Sequence, residues 1–323
     1  MAEYKGIKGF NIQTVSSDPA NPLVGEVWYN STSGTVKYFA VLPAGWSTGG
    51  NLGTARGRLA GAGTQTAGLA FGGLPAATEE YDGSAWTAGG NLATARYGLA
   101  GAGTQTAALA FGGAPPNTAA TEEYDGSAWT AGGNLGTARK DLAGAGTQTA
   151  GLAFGGSPYT SLTEEYNGTS WTAGGNLATG RQSLGGAGTQ TVGLAFGGRG
   201  PVTAATEEYD GSTWTAGGSL NTARAYLAGC GTQTAGLAFG GSLIPTSGPA
   251  GVFSSTEKYD GTSWTTVGSL NTARAYLAGC GSGTAGLAFG GITAPGTDLS
   301  STEEYDGGGP ATLRFGIIQH HKL

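Results

Sequence analysis

The chain is poor in charge and in the residues that carry most enzyme chemistry. Charged residues fill 11% of its 323 positions, against about a quarter in ordinary soluble domains. Its two histidines, His320 and His321, both fall in the last four residues, and its two cysteines are Cys230 and Cys280. A Ser-His-Asp arrangement or a three-histidine metal site in the body of the chain is therefore excluded. Fifteen Lys and Arg face 21 Asp and Glu, for a net charge of −6 and no basic run. Nucleic acid and anionic membranes both require clustered cations, so neither is expected as a partner. No stretch approaches the about 18 apolar residues of a membrane span. Met1 to Gly6 show no apolar signal-peptide core, so cytoplasmic synthesis without membrane insertion is expected.

What the chain has in excess is glycine, 65 residues, together with 7 Trp, 13 Tyr and 10 Phe. The glycines follow no three-residue period, which excludes collagen. Each interior glycine costs a helix about 1 kcal/mol relative to alanine, so a helical protein is excluded too. The aromatics supply apolar surface that a disordered chain lacks. Four marks recur in register. Arg stands at Arg56, Arg96, Arg139, Arg181, Arg224 and Arg274, spaced by 40, 43, 42, 43 and 50 residues. Ala-Phe-Gly-Gly ends at Gly73, Gly113, Gly156, Gly198, Gly241 and Gly291. Thr-Glu-(Glu/Lys)-Tyr ends at Tyr81, Tyr124, Tyr166, Tyr209, Tyr259 and Tyr305, and Trp86, Trp129, Trp171, Trp214 and Trp264 follow the first five. Each repeat reads as four short strands: a small Ala/Gly strand a, a Gly-Leu-Ala-Phe strand b, the Thr-Glu-Glu-Tyr strand c, and strand d with Trp. Asp-Gly between c and d is a tight hairpin turn.

The Gly-Gly, Tyr, Trp and Arg order over residues 46–307 resembles the kelch repeat, which implies a β-propeller; Leu-Ala-Phe departs from the bulkier β-branched run usual before Gly-Gly. After Tyr305 the expected Trp is absent and Pro310 stands in its place, whereas Trp46-Ser47-Thr48-Gly49-Gly50 matches a strand d with no a or b before it. The expected fold is all-β: a six-bladed kelch-like propeller closed by an N-terminal strand, with a short N-terminal β-hairpin. The expected segments are 1–45, an attachment segment; 46–309, the propeller; and 310–323, a C-terminal tail whose stretch from Ala311 to Gln319 is apolar enough for a strand, against either the N-terminal hairpin or a neighbouring subunit.

The internal copies differ in a patterned way. The b–c loops have 4, 7, 6, 7, 14 and 10 residues, while every stretch from Thr of strand c to the next Gly-Gly keeps its length. The two positions after each repeat Arg also vary: Gly57-Arg58, Tyr97-Gly98, Lys140-Asp141, Gln182-Ser183, Ala225-Tyr226 and Ala275-Tyr276. In a four-stranded antiparallel blade the b–c and d–a connections share one end. One varied face on a constant scaffold suits binding, and drift in tolerant loops is the plainer alternative. The candidate ligand face comprises Arg58, Tyr97, Lys140, Asp141, Gln182, Ser183, Tyr226 and Tyr276, with Tyr159, Arg199 and Phe253 from the b–c loops. Aromatics would stack on sugar rings and polar groups would bind hydroxyls.

Gly25 to Phe39 reads as a hairpin of alternating aromatics around Gly34. With Lys8-Gly9-Phe10-Asn11-Ile12-Gln13 before it, this Gly-x-x-Trp-Tyr-Asn hairpin resembles N-terminal segments of tailed-phage (marine or cyanophage-type) fibre and virion surface proteins. That resemblance implies a non-enzymatic virion protein made in the host cytoplasm: a tail fibre or receptor-binding protein, docked to other virion proteins through its N-terminus by Trp28, Tyr29 and Tyr38. Its propeller would meet a host-surface glycan or protein. A capsid or tail decoration protein that binds only virion subunits is the open alternative, and a homotrimer is an open assembly. No cofactor and no metal are expected. The Glu pairs, such as Glu79-Glu80, point to opposite faces of a strand, so they do not flank one glycosidic bond; one Glu should meet the repeat Arg and the other face water. Cys230 and Cys280 replace alanines of strand a, as small buried thiols or, alternatively, a redox pair.

Overall fold

The structure, a computed structural model, describes residues 12–243, 251–294 and 296–314. Lys8 to Asn11, Phe315 to Gln319 and the two histidines lie outside the described residues. Two compact units divide the chain, 45–307 and the pair of ends 1–44 with 308–323. Every described regular element is a β-strand.

The 45–307 unit holds six four-stranded antiparallel sheets, each in the spatial order a-b-c-d. Sheet 1 consists of Ala60–Gly63, Gly68–Phe71, Thr78–Tyr81 and Trp86–Ala88. Sheets 2 to 5 repeat it, with inner strands that begin at Ala100, Ala143, Gly185 and Ala228. Sheet 6 contains Ala278–Gly281, Ala285–Phe289 and Thr302–Asp306, and its fourth strand is Gly45–Thr48. That strand sets Trp46 opposite Tyr305, as Trp86 stands opposite Tyr81 in sheet 1. The inner strands are neighbours in cyclic order, sheet 1 beside sheet 2 and sheet 6 beside sheet 1. This is a propeller-like fold. A small two-stranded hairpin, Ile292–Thr293 with Thr297–Asp298, decorates the b–c loop of sheet 6.

The repeat marks explain the architecture. Strand a must be small because the Phe of the preceding sheet packs against it: a Cβ on Gly61 would lie 2.6 Å from the ring of Phe289. Strand b is buried throughout, and the Leu-Ala-Phe departure packs densely, with Phe71 against Trp129 at 4.9 Å between ring centroids. At each seam the Trp reaches back one sheet. Trp129 Nε1 donates to Thr78 Oγ1 at 2.9 Å, and Trp46 donates to Thr256 at the same distance. The repeat Arg works inside its own sheet. Arg56 Nη2 pairs with Glu79 at 2.9 Å, while Nη1 donates to the carbonyls of Gly72 and Ala77. Glu79 also accepts the N–H of Gly53, so the d–a connection is tied down at both charges. A buried ion pair needs such extra hydrogen bonds to offset its desolvation.

The second Glu of the pair corrects the sequence expectation. It is not left to water: Glu80 accepts the hydroxyl of Tyr124 at 2.5 Å. The Tyr of the next sheet reaches the seam where Glu80 lies, a contact between repeats that strand alternation alone does not reveal.

In the other unit the sheet order is Gln13–Val15, Val27–Asn30, Thr35–Leu42 and Gly309–Arg314. Up to Arg314 the C-terminal segment is a strand, and it pairs antiparallel with the second strand of the hairpin. Trp28 is wholly buried, and its indole N–H donates to Asp18, which also pairs with Lys37 at 2.6 Å. Lys37 and the other donors hold the Asp18 carboxyl down to about 2. Trp28 thus builds the core of the hairpin and offers no docking surface, because its only polar atom is already bonded. Tyr29 and Tyr38 are half-buried, and the exposed large apolar side chains among the described residues here are Ile12, Leu23, Val24 and Val41.

Candidate functional site

Six residues from six repeats converge where the d–a connections pass one end of the axis. They are the second residues after each repeat Arg: Arg58, Gly98, Asp141, Ser183, Tyr226 and Tyr276. All six hold φ between 53° and 62°, the left-handed region that costs a non-glycine residue about 1–2 kcal/mol. A closed circle of hydrogen bonds over-determines that conformation. Gly98 N–H donates to Arg58, Asp141 to Gly98, Ser183 to Asp141, Tyr226 to Ser183, Tyr276 to Tyr226, and Arg58 back to Tyr276, all at 2.7–2.9 Å. The backbone is thereby fixed while the side chains are free to differ.

The b–c loops join this surface. The first residue after the Arg bridges the first residue after Gly-Gly, as in Tyr97 with Ala114, Gln182 with Arg199, and Ala275 with Ile292. The two sets of varied positions therefore form one face.

On it the side chains interlock. Tyr226 and Tyr276 lie with ring centroids 4.1 Å apart. The Arg58 guanidinium sits over Tyr276 at 4.5 Å and over Tyr97 at 5.4 Å. Lys140 Nζ is 5.3 Å from the Tyr97 ring. Arg199 donates to the hydroxyls of Tyr226 and Tyr159. Burial pushes the Tyr276 hydroxyl well above its ordinary value, and burial raises Asp141 against the pull of Lys140, Arg58 and Arg199.

Arg58, Tyr97, Lys140, Asp141, Tyr159, Ser183, Arg199, Tyr226 and Tyr276 are thus brought together. Tyr226 is only 7% exposed, so it does not offer a sugar-stacking face; Tyr276 covers it. It acts as the platform on which the arginines rest. Tyr159 is the open aromatic, at 44% exposure. Gln182 is buried, and Phe253 is half-buried, its N–H bonded to Gly241; neither makes a ring contact with the cluster among the described residues. Val252 packs instead against the small cluster of Ala225, Tyr226 and Ala275, a neighbour that sequence reasoning missed because Val is unremarkable in a loop.

Elsewhere the chemistry is occupied. Cys230 and Cys280 line the opposite stretch of the axis. Both are free and buried, and burial pushes the Cys230 thiol up to about 12. A thiol so raised is a poor nucleophile. A pocket of about 300 Å³ beside Pro115 and Pro116 contains Arg96 and Glu122, which pair with each other. Among the described residues no group of His, Cys, Asp and Glu could hold a metal ion.

Neither a protein-family profile nor a curated protein matches the chain. Solved structures do. One described as "Structure of YjhT" aligns with a TM-score of 0.65 over 79% of this chain and 96% of that chain, at 13% identity. A likeness at that identity shows a shared propeller-like fold alone.

Proposed function

We propose that this chain is a virion structural protein of a tailed phage: a six-bladed kelch-like propeller, closed by the Gly45–Thr48 strand, that presents its varied face to a host-surface glycan without catalysing a reaction on it. The observation that carries the binding reading is the convergence of the varied positions on one ring, although they stand 40 to 50 residues apart in sequence. The opposite end is built from near-identical turns, in which Asp82, Asp125 and Asp210 each close the same local bonds. A scaffold held constant while one face changes is the usual construction of a recognition protein.

The test has two arms. Antibodies against the chain should decorate purified particles in immunogold microscopy, and the full chain should retain glycans on an array through the ring face. Absence from particles would end the virion assignment. A chain that is present on particles yet retains no glycan would favour decoration; the exposed Leu23, Val24 and Val41 suit contact with another virion subunit.

A further inference from the structure

We infer that the ring mouth binds an acidic polysaccharide through its carboxylate or sulfate groups, held by Arg58, Lys140 and Arg199. The inference rests on the glycan-binding reading and narrows it to a class. The 45–307 unit has ten Lys and Arg. Six of them are the repeat arginines, each buried in an ion pair with a Glu. Of the four that remain, three stand at this one mouth, in a chain whose net charge is −6. Lys258 is the fourth and lies in strand c of sheet 5.

None of these three cations forms an ion pair among the described residues, although all three pull on the buried Asp141 carboxyl. They rest on tyrosine rings. A cation–π platform holds a guanidinium or ammonium in place; Arg58 and Lys140 keep their donors for a ligand, and Arg199, which gives one N–H each to Tyr226 and Tyr159, keeps its remaining ones. Guanidinium forks match carboxylate and sulfate oxygens in geometry.

A small pocket of about 90 Å³ opens at the ring beside Arg58, lined also by Asp141, Ser183, Tyr226 and Tyr276 above a circle of leucines; Lys140 and Arg199 stand outside its lining. Ser183 is 8% exposed, and its Oγ has no hydrogen-bond partner. An orphaned buried hydroxyl costs stability, and here it lines a pocket beside a free cation, where a ligand oxygen would satisfy it. Two acids share this face. Asp141 is in the ring, and Asp298 stands by Gly57; both leave the cationic excess in place. The other end of the unit is anionic. Asp82, Asp125, Asp210 and Asp260 are exposed there, each held below the usual carboxylate range by turn N–H and hydroxyl donors. An acidic polymer is therefore drawn to one end and repelled by the other.

The copies themselves supply variants that the ring accepts. Arg58→Gly takes the residue found at Gly98, Lys140→Gln that at Gln182, and Arg199→Ser that at Ser242. The full chain and this triple variant would be compared on immobilised alginate, dextran sulfate and neutral dextran, with melting temperature as the check on folding. Expected is retention on alginate or dextran sulfate and none on dextran. The triple variant should melt normally and bind at least about tenfold more weakly, one charge-assisted contact being worth that much. Raising the salt to 1 M should weaken wild-type binding, since the Debye length then shrinks to about 3 Å. Alginate and dextran sulfate tell carboxylate from sulfate. Binding to neutral glycans that the triple variant keeps would overturn the acidic-ligand inference and leave the glycan reading standing; no glycan retained at all would overturn both.

Discussion

The seam between sheets 1 and 2 and the seam between sheets 5 and 6 come from the same repeat, yet they are joined by different numbers of bonds. At the first, Trp129 donates to Thr78, Tyr124 to Glu80, and the Gln105 amide to the carbonyls of Gly68 and Tyr81. At the second, Trp46 still donates to Thr256 and meets Phe239 edge-on at 5.0 Å. The rest is gone. Lys258 stands where the other copies have a Glu, so the buried hydroxyl of Tyr305 has no partner. Gly283 stands where they have Gln, and a Cβ there would lie 2.3 Å from the carbonyl oxygen of Ala235. The sheet completed from the far end of the unit thus has the fewest side-chain bonds to its neighbour, and the Trp–Thr link with its aromatic packing is the side-chain device that every seam shares, beside the backbone bonds of the ring.

Removing that device should have the largest effect. Trp46→Ala should destabilise the 45–307 unit by about 3–5 kcal/mol, the usual cost of truncating a buried Trp, as read from urea denaturation. A loss below about 1 kcal/mol, the scale of one net hydrogen bond, would mean that the Gly45–Thr48 strand is dispensable.

Alkaline pH should next attack the five well-bonded seams together. Burial, and then the hydrogen bond to Glu, push the hydroxyls of Tyr81, Tyr124, Tyr166, Tyr209 and Tyr259 up to about 12. Their folded values lie above the unfolded value of about 10. The stabilisation is therefore whole below pH 10 and is lost as pH rises through 12. Melting temperature measured from pH 8 to 12 should fall steeply over that last interval, in step with tyrosinate absorbance.

The paired substitutions Tyr124→Phe and Tyr305→Phe separate the two kinds of seam directly. The first strips Glu80 of its donor and Gly90 of its acceptor, and should cost about 1–2 kcal/mol. The second deletes a hydroxyl that bonds nothing and should be neutral or stabilising. Equal costs would erase the comparison. Lys258→Glu is the smallest change: it offers Tyr305 the acceptor found at the other seams and should gain about 0.5–1.5 kcal/mol, visible as a higher urea midpoint.

Much of this was legible before any coordinates. Repetition of Arg, Gly-Gly, Tyr and Trp marks four strands per copy, because each mark answers a local need: a turn, a small inner strand, a buried ring. Pairing of Arg56 with Glu79 was legible too, since both lie in one repeat. The partner of Glu80 was not, nor the bond from Gln105, because both cross to another copy, and sequence distance says nothing about which copy lies alongside. The varied pair after each Arg was visible as variation. That Tyr226 would be covered while Arg58 stays exposed was not, because exposure depends on which side chains the ring sets next to one another.

By itself the sequence determined the strand pattern, the poverty of catalytic groups and the segregation of varied from constant connections. These follow from composition and from periods shorter than one repeat. Tertiary structure alone decided the circle of left-handed residues, the cations left outside ion pairs and the thinly bonded seam. Each depends on a contact between copies, and a closed ring gives every copy two neighbours that the linear order does not name.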